Sequence, residues 1–277
     1  MPKINLDNSI IQVNPPFILL IVATYNCAPT LTRCIESFID QTYPHKKLVI
    51  IDGGSTDGTV DIIRRYESHI THWQSEPDKG IYDAWNKALT CGVEADWIQF
   101  MGADDYYYNP STLDLTANIL VNLSNPAMLV YGQTTLEYPN GTLKLIGDEY
   151  DRDSVLKKGV MPSGQVSMFY NRSIFSKYGK FDDNFLIAGD LEHFLRITQH
   201  IEPTFFNNVV TVHRVGGISS NYKYAYIRFL ERDLALSKNG YKLTRNIFYY
   251  YVKMVRWVKA KLCTVANAEL YERIKFI

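Results

Sequence analysis

The chain has 277 residues, of which 46% are hydrophobic and 21% charged, enough for a packed core in one large domain or two unequal ones. Lysine plus arginine equals aspartate plus glutamate at 29 each, so the net charge of zero gives no support to nucleic-acid binding. The four cysteines form no CxxC pair and lie near no histidine at metal-ligand spacing, a usage typical of reduced thiols in a cytoplasmic protein.

Strands and helices are predicted to alternate up to residue 105. Apolar runs indicate four strands: FILLIVAT (17–24), KLVIID (47–52), HITHWQS (69–75) and ADWIQFM (95–101). The segments between them have helical apolar spacing: residues 30–41, 59–66 and 80–91. The first run follows a polar lead and is too short to span a bilayer, so we interpret it as a buried strand and not a signal peptide. Such repeated units predict an α/β fold, Rossmann-like, with a mostly parallel sheet flanked by helices.

The second half of the chain does not continue the regular alternation of strands and helices. MLVYGQTTLEY (128–138), an Asn-Gly turn and TLKLIG (142–147) predict a β-hairpin. Residues 167–183 predict a strand and then a helix that ends at a glycine, and residues 185–199 predict a loop that leads into a helix. After about residue 221 the pattern indicates helix to the end of the chain.

Acidic residues follow two of the predicted strands, at the position where ligands collect in parallel sheets. Asp104 and Asp105 follow the fourth strand, where two adjacent carboxylates predict either a divalent-metal site or a solvated turn. Asp52 and Gly53 follow the second strand. A carboxylate and an accessible glycine backbone suit a nucleotide, but a tight strand-to-helix turn uses the same residues.

The segment EPDKGIYDAWNKAL (76–89) carries candidate anion-binding groups. Lys79 and Gly80 open its predicted helix, and the free N–H groups of a helix N-terminus favour anions. Asp83 and Asn86 are predicted to share one face of that helix. A solvated helix start is the alternative interpretation.

Two further candidates lie in the second half. In AGDLEHFLRI, Asp190 is either an N-cap or a carboxylate held rigidly enough to act as a general base. We expect its neighbours Glu192 and His193 to point elsewhere on the helix. The pair His213-Arg214 precedes two glycines and suits a mobile loop that contacts a diphosphate, with a plain strand-to-helix turn as the alternative.

Together these motifs resemble the family-two glycosyltransferases, a large inverting group with a GT-A fold. The matching segments are IVATYN (21–26), VIIDGGSTDGT (49–59), EPDKGIYDAWNKAL (76–89), GADD (102–105) and AGDLEHFLRI (188–197). The resemblance is strong through residue 110 and weaker to about residue 220. It implies a catalytic domain at 1–220, with a donor part at about 15–110 and an acceptor part at about 111–220, and a helical extension at 221–277.

The resemblance also implies a role for each matched residue. The nucleotide base and ribose would be held by Thr24, Tyr25, Asn26, Asp52 and Gly53. The rest of the nucleotide sugar would be contacted by Lys79, Asp83 and Arg214, and Asp104 would contact the ribose or the metal. Asp105 would ligate Mn²⁺ or Mg²⁺ on the diphosphate, and Asp190 would be the base for the acceptor hydroxyl. Two positions depart from the family pattern: Gly53 replaces a frequent second Asp, and Gly164-Gln165 replaces a frequent His-Gln.

The implied reaction is metal-assisted transfer of a hexosyl or N-acetylhexosaminyl group from a nucleotide sugar, with a UDP-sugar favoured as donor. One base and direct displacement give inversion, so no second carboxylate nucleophile is required. A sugar nucleotidyltransferase is an alternative, but the loop TYNCAPTL lacks the glycine-rich basic character that a triphosphate needs. A non-catalytic nucleotide-sugar-binding subunit is another, although such a protein need not keep both Asp105 and Asp190.

The carboxyl-terminal tail is basic and aromatic. Residues 241–277 contain eight Lys or Arg against two Glu, a net charge of +6, so the remainder of the chain carries −6. A basic helix with Tyr and Trp over residues 241–262 suits an anionic membrane surface, while packing against the catalytic domain or a partner subunit is the alternative. Membrane contact would suit a saccharide or lipid-linked saccharide acceptor, in polysaccharide or glycolipid assembly at the inner face of the membrane.

Overall fold

The central sheet contains nine strands in the computed structural model, which describes residues 14–123, 128–217 and 224–241 together with Val255 and Val258. The strands are β1 (Ile18–Thr24), β2 (Lys46–Asp52), β3 (His72–Ser75), β4 (Trp97–Gly102), β5 (Tyr106–Tyr107), β6 (Leu129–Glu137), β7 (Leu143–Ile146), β8 (Met168–Asn171) and β9 (Thr204–Arg214). The α-helices are α1 (Ala28–Ile39), α2 (Thr59–Arg65), α3 (Ile81–Ala88), α4 (Thr112–Val121), α5 (Arg152–Lys158), α6 (Ser173–Tyr178), α7 (Gly189–Ile197) and α8 (Ala225–Lys238).

The amino-terminal half of the sheet is parallel. Strand β1 lies between β2 and β4, and β3 pairs with the outer edge of β2. Every residue of β1 is buried, and its sequence ILLIVAT is almost entirely aliphatic because helices cover both faces of a parallel strand. This mostly parallel sheet with flanking helices confirms the predicted α/β fold class.

The parallel register brings the carboxyl ends of these strands to one edge of the sheet. Thr24 lies opposite Asp52, Ala23 lies opposite Gly102, and Asp52 also lies opposite Ser75. Because the strands point the same way, the loops that follow them emerge side by side. Segments that are far apart in sequence therefore form one rim.

The carboxyl-terminal half of the sheet is mixed. Strand β8 is antiparallel to both β4 and β6, and β7 forms the predicted hairpin with β6. Strand β9 runs parallel to β6, with a register shift around Gly132. A Cβ atom at Gly132 would lie 2.7 Å from the carbonyl oxygen of Asn208, so glycine is needed where these two backbones approach closely.

Strands β5 and β9 were not predicted from the sequence. Asn207 and Asn208 interrupt β9 and hide the apolar alternation that marks a strand. His213 and Arg214 belong to the end of β9 and not to a loop, and the turn follows them at residues 215–217, as the alternative of a strand-to-helix turn predicts. There they lie opposite residues 136 and 137 of β6, and only the segment after them leaves the sheet.

Two hydrophobic clusters cover the faces of the sheet, and the one beneath α3, α6 and α7 is rich in aromatic rings. The imidazole of His193 belongs to it and stacks on Phe175 with ring centroids 5.4 Å apart. Its Nε2 lies 3.1 Å from the carbonyl oxygen of Gly179, and burial lowers the pKa of His193 to about 3. His193 is thus a neutral core residue, which confirms the expectation that it points away from Asp190.

Helix α8 confirms the helical prediction for residues 225–238. The basic segment 241–262 lies outside the described residues except for Tyr241, Val255 and Val258, as do residues 218–223 of the loop before α8. Within the described part of the chain, no helix has the length and apolarity required to cross a membrane.

Candidate active site

The loops after β1 and β2 are locked together by side-chain hydrogen bonds. Asn26 has a left-handed backbone with φ of 50°, and its Oδ1 accepts a bond of 3.0 Å from the Thr56 N–H. Its own N–H donates to Ser55 Oγ at 2.7 Å, and Asp57 accepts from the N–H of Ala28 at 3.1 Å. These residues hold the rim in shape, since they use their polar atoms on each other.

Thr24 and Tyr25 end β1 within this locked rim. The side chain of Tyr25 is 62% exposed, an open position for an aromatic ring. The Oγ1 of Thr24 is buried and, within the described residues, has no hydrogen-bond partner. A buried hydroxyl without a partner is costly, so Thr24 marks a place where a bound polar group would be stabilised.

The carboxylate of Asp52 is turned into the protein. Its Oδ2 accepts bonds from the N–H of Gly54 at 3.1 Å, the N–H of Ser55 at 2.9 Å and the hydroxyl of Ser75 at 2.6 Å. Its Oδ1 accepts from the Ser55 hydroxyl, and the residue is fully buried. The structure therefore favours the tight-turn interpretation of Asp52, which shapes the rim from below.

The loop before α3 is closed by Asp83. Its Oδ2 accepts a 3.1 Å bond from the backbone N–H of Lys79 and lies 3.5 Å from Lys87 Nζ. The ammonium group of Lys79 is exposed and lies 3.3 Å from Asp183. Asn86 binds the backbone of Phe181 through both ends of its amide, so its role is structural.

The Asp104-Asp105 pair is not a solvated turn, because Asp105 is only 2% exposed. One oxygen of Asp105 accepts from the Gly102 N–H at 3.1 Å, and the other lies 2.7 Å from His213 Nδ1. Pairing between β5 and β9 creates this contact, since Tyr106 lies opposite Val212 and each is one residue away from the interacting pair. The sequence separation of Asp105 and His213 is 108 residues, so no local pattern reveals it.

Negative charge accumulates at this point. Burial raises the pKa of Asp104, and the neighbouring Asp105 raises it further. Burial opposes charge on His213, but the carboxylates of Asp105 and Asp104 outweigh it and the pKa of His213 is raised. Asp190 also contributes to that rise, which places the carboxylate of α7 within electrostatic reach of the pair.

Two arginines border the same region. Arg214 Nε lies 3.5 Å from Glu137, and Arg33 shares that carboxylate at 3.5 Å while its guanidinium covers the ring of Tyr106 at 3.4 Å. Both guanidinium groups remain about half exposed, at 46% and 53% of the side chain. Two cations around one carboxylate leave a net positive charge that suits an anionic ligand.

The donor atoms at Asp104 and Asp105 fit a hard divalent cation in part. The two carboxylates offer oxygen atoms, the ligand type that such cations prefer, whereas the imidazole Nδ1 of His213 is hydrogen-bonded to Asp105. Among the described residues, no three metal-ligating side chains form a complete metal cluster. An ion held by two carboxylates alone would need further ligands, which a bound phosphate can supply.

Asp190 lies in the first turn of α7 rather than at its N-cap, which is Ala188. Its Oδ1 accepts bonds from the N–H of Leu191 at 2.8 Å and from the hydroxyl of Tyr82 at 3.2 Å. The side chain keeps partial contact with solvent, yet burial raises the pKa of Asp190 to about 6. The neighbouring Glu192 instead pairs with Arg196 at 3.0 Å, as expected for a residue that points elsewhere.

Glu231 of α8 was not recognised from the sequence. Its two oxygens accept bonds from three consecutive backbone N–H groups before α7, those of Leu186 at 2.7 Å, Ile187 at 2.7 Å and Ala188 at 2.9 Å. The single proton of the Tyr82 hydroxyl is shared between the carbonyl oxygen of Ile187 at 2.6 Å and Asp190 Oδ1 at 3.2 Å. The segment that presents Asp190 is therefore fixed from both sides, and the charge of Glu231 adds to the rise in the pKa of Asp190.

The departure at Gly164-Gln165 has a steric cause. A Cβ atom at Gly164 would lie 2.8 Å from Thr134 Oγ1, so a larger side chain fits there only if the Thr134 side chain moves. Gln165 accepts a 2.8 Å bond from the hydroxyl of Tyr170, and its Nε2 is buried without a partner among the described residues. That amide is a further polar group available to a ligand.

Sequence comparisons match one protein family over more than half of the chain. The family model described as Glycosyl transferase family 2 matches residues 19–179. A Mycobacterium bovis protein named "PGL/p-HBAD biosynthesis glycosyltransferase" is 31% identical over 187 residues, covering 65% of this chain and 69% of its own. "Glycosyltransferase AglE" of Haloferax volcanii is 25% identical over 211 residues, covering 72% and 67%.

Solved structures share the fold at low sequence identity. "Mannosyltransferase PcManGT from Pyrobaculum calidifontis in complex with GDP-Man and Mn2+" has a TM-score of 0.60 at 22% identity, over 80% of this chain and 64% of that one. S. aureus TarS residues 1–349 in complex with UDP has a TM-score of 0.59 at 16% identity, over 88% and 78%. The chain spans about half, 48%, of the longer TarS chain.

Proposed function

The chain belongs to glycosyl transferase family 2, and from that premise we propose that it transfers a sugar from a nucleotide-diphosphate sugar to an acceptor hydroxyl, with inversion at the anomeric carbon. One observation carries the proposal. The buried Asp105–His213 pair and the partly exposed Asp190, whose pKa is raised to about 6, lie within electrostatic reach of each other. A site for a charged leaving group thus adjoins a carboxylate suited to accept a proton.

The donor would bind at the rim formed by the ends of β1, β2 and β4. Tyr25 offers an exposed ring for a base or ribose, and the unpaired hydroxyl of Thr24 offers a hydrogen bond. Arg214 and Lys79 offer positive charge to the phosphates. Solved proteins of the same fold are named as complexes with UDP, UDP-GlcNAc and GDP-Man, which supports a nucleotide sugar as donor, with a UDP-sugar favoured.

A Mn²⁺ or Mg²⁺ ion would be held by Asp105, with Asp104 and His213 beside it, and would supply charge neutralisation to the departing diphosphate. Burial and the neighbouring Asp105 raise the pKa of Asp104, and a bound cation would stabilise the ionised form of both carboxylates. PcManGT shares the fold, and its solved structure is a complex with GDP-Man and Mn²⁺. This supports the proposal that a divalent metal takes part here.

Asp190 would remove the proton from the acceptor hydroxyl as that oxygen attacks the anomeric carbon. A carboxylate with a pKa of about 6 is mostly ionised at neutral pH yet is a stronger base than an ordinary Asp. The sugar–phosphate bond breaks on the opposite side, and the electron pair leaves with the nucleoside diphosphate. A single displacement with one base gives inversion.

The acceptor would be a saccharide or a lipid-linked saccharide, in cell-surface polysaccharide or glycolipid assembly. The name of the mycobacterial relative, a glycosyltransferase of PGL/p-HBAD biosynthesis, supports this class. Residues 1–220 would form the catalytic domain and 221–277 an extension that contacts the cytoplasmic face of an anionic membrane through its basic segment. Flotation of the full chain with anionic but not neutral vesicles would support that contact, and no flotation with either would remove it.

The first experiment is calorimetric titration with UDP, GDP, CDP and dTDP, each with and without Mn²⁺. We expect tight binding of one nucleotide and a clear loss of affinity without the metal. Absence of binding under every condition would contradict the proposed donor site. With the matching nucleotide sugar and a hydroxyl acceptor, NMR of the product should show the opposite anomeric configuration to the donor.

A further inference from the structure

Gly53, directly after β2, has a neighbour where its side chain would be. A Cβ atom built on Gly53 would lie 2.8 Å from Oδ2 and 3.1 Å from Cγ of Asp78. The carboxylate of Asp78 thus occupies the space that a side chain at position 53 would fill. The backbone of Gly53 is not in the left-handed region, so its conformation does not by itself require glycine.

Asp52 is not free to bind the base. Its oxygens together accept four hydrogen bonds from Gly54, Ser55 and Ser75, and the residue is completely buried. A ligand could reach this carboxylate only if the turn after β2 opened. The acidic group available at this end of β2 is therefore contributed by a different loop.

Asp78 has one oxygen engaged and one available. Its Oδ1 accepts a 2.9 Å bond from the N–H of Gly80, which fixes the orientation of the carboxylate. Within the described residues, its Oδ2 receives no hydrogen bond, and the residue is partly buried. Burial raises the pKa of Asp78, against the lowering effects of the Gly80 bond and of the charge of Lys87.

We propose that Asp78, and not Asp52, is the carboxylate that recognises the base of the nucleotide donor, and that Gly53 is present to admit it. This inference rests on the proposed function. The Oδ2 atom would accept a hydrogen bond from the ring N–H of uracil, thymine or guanine. Cytosine presents an acceptor nitrogen at the corresponding ring position, so its lone pair would face the carboxylate and repel it. Asp78 would thereby select nucleotides with a ring N–H donor.

The test compares UDP, dTDP, GDP and CDP by calorimetry with Mn²⁺, for the wild-type chain, Asp78→Asn and Asp78→Ala. We expect Asp78→Asn to weaken the preferred nucleotide about tenfold to a hundredfold and to strengthen CDP, because the amide N–H₂ can donate to the cytosine nitrogen. Asp78→Ala should weaken the preferred nucleotide without any gain for CDP. Asp61→Asn, an exposed carboxylate on α2 paired with Arg64, is the matched control and should leave the order of affinities unchanged.

Gly53→Ala provides a second test of the assignment, in which Asp78 itself is unchanged. Its methyl group would displace the Asp78 carboxylate and should reproduce the loss of affinity, which guards against an unfolded Asp78 variant. If the wild-type chain binds a nucleotide and both Asp78→Asn and Gly53→Ala keep its affinity and its preference, the assignment of Asp78 is wrong while the proposed function stands. A wild-type preference for CDP would overturn the assignment of Asp78 alone, and absence of binding by every nucleotide would overturn both.

Discussion

The rim at the ends of β1 and β2, which we propose as the donor rim, and the segment around Asp190, which we propose as the acceptor side, are built in different ways. At the rim, residues from the loops after β1 and β2 bond to their immediate neighbours across parallel strands, as Asn26 does with Thr56. On the acceptor side, Asp190 depends on Tyr82 and Glu231, which lie 108 residues before it and on a separate helix after it. The rim is thus held by hydrogen bonds between loops that parallel strand pairing brings side by side, and the acceptor side is held by packing between helices.

The two sides also treat their carboxylates differently. Asp52 accepts four hydrogen bonds and is inaccessible, so its charge is fully used in the fold. Asp190 accepts hydrogen bonds from only two groups, which do not offset the effect of burial, so the pKa of Asp190 is raised to about 6. A carboxylate that shapes structure is saturated with donors, whereas one suited to catalysis is left under-supplied.

Asp190→Asn should give the largest difference between its effect on sugar transfer and its effect on nucleotide binding. Loss of the base should lower transfer by about 10²–10⁴-fold, while nucleotide affinity stays within error because the rim is untouched. Initial-rate assays and calorimetry on the same preparation would measure both quantities. Unchanged transfer would mean that another group acts as base. Glu192 is excluded from that role unless it leaves its ion pair with Arg196.

Asp105→Ala should give the complementary result. We expect nucleotide affinity in Mn²⁺ to fall about tenfold to a hundredfold and the difference between titrations with and without metal to vanish. Asp114→Ala, at a carboxylate on α4 that bonds Thr42, is a control whose metal dependence should match that of the wild-type chain. Metal-dependent binding that survives in Asp105→Ala would contradict the assignment of this carboxylate.

Glu231→Gln tests whether α8, which lies beyond the residues that match the family model, influences the proposed base Asp190. In the wild-type chain, kcat/KM should rise with pH through about 6, because Asp190 must lose its proton to act. Glu231 raises the pKa of Asp190, so its neutral replacement should move this acid limb to lower pH and reduce kcat about tenfold through looser positioning. Glu94→Gln, at a surface pair with Arg172, should leave the profile in place. An unmoved limb in Glu231→Gln would contradict the coupling.

Tyr82→Phe should have a weaker effect than the three preceding substitutions. It should move the acid limb of the pH profile in the direction opposite to Glu231→Gln. The hydrogen bond from the Tyr82 hydroxyl stabilises the ionised form of Asp190, so its loss should move the acid limb of the profile to higher pH. The free energy of unfolding should fall by about 1 kcal/mol, the typical contribution of one buried hydrogen bond. Chemical denaturation and the pH profile of kcat/KM would measure the two quantities. A shift to lower pH would show that Tyr82 does not donate to the carboxylate.

The parallel, amino-terminal half of the sheet could be predicted from the amino-acid sequence alone. Aliphatic runs such as ILLIVAT can only be buried between two layers of helix, and their polar ends must then meet at one edge of a parallel sheet. The hairpin, the glycine that ends α6 and the acidic pair after β4 follow from equally local rules. The sequence also singled out Asp190, although not its place in the first turn of α7.

What these groups contact became apparent only in the folded protein. The Asp105–His213 contact depends on β9, a strand whose central asparagines conceal it. The clamp of Glu231 on the backbone before α7 joins residues at least 43 positions apart, and Asp78 meets Gly53 only because two loops emerge side by side. Turn chemistry depends on a few neighbouring residues, whereas strand pairing and helix docking depend on the burial of the whole chain, so tertiary packing fixed the partner of each functional group.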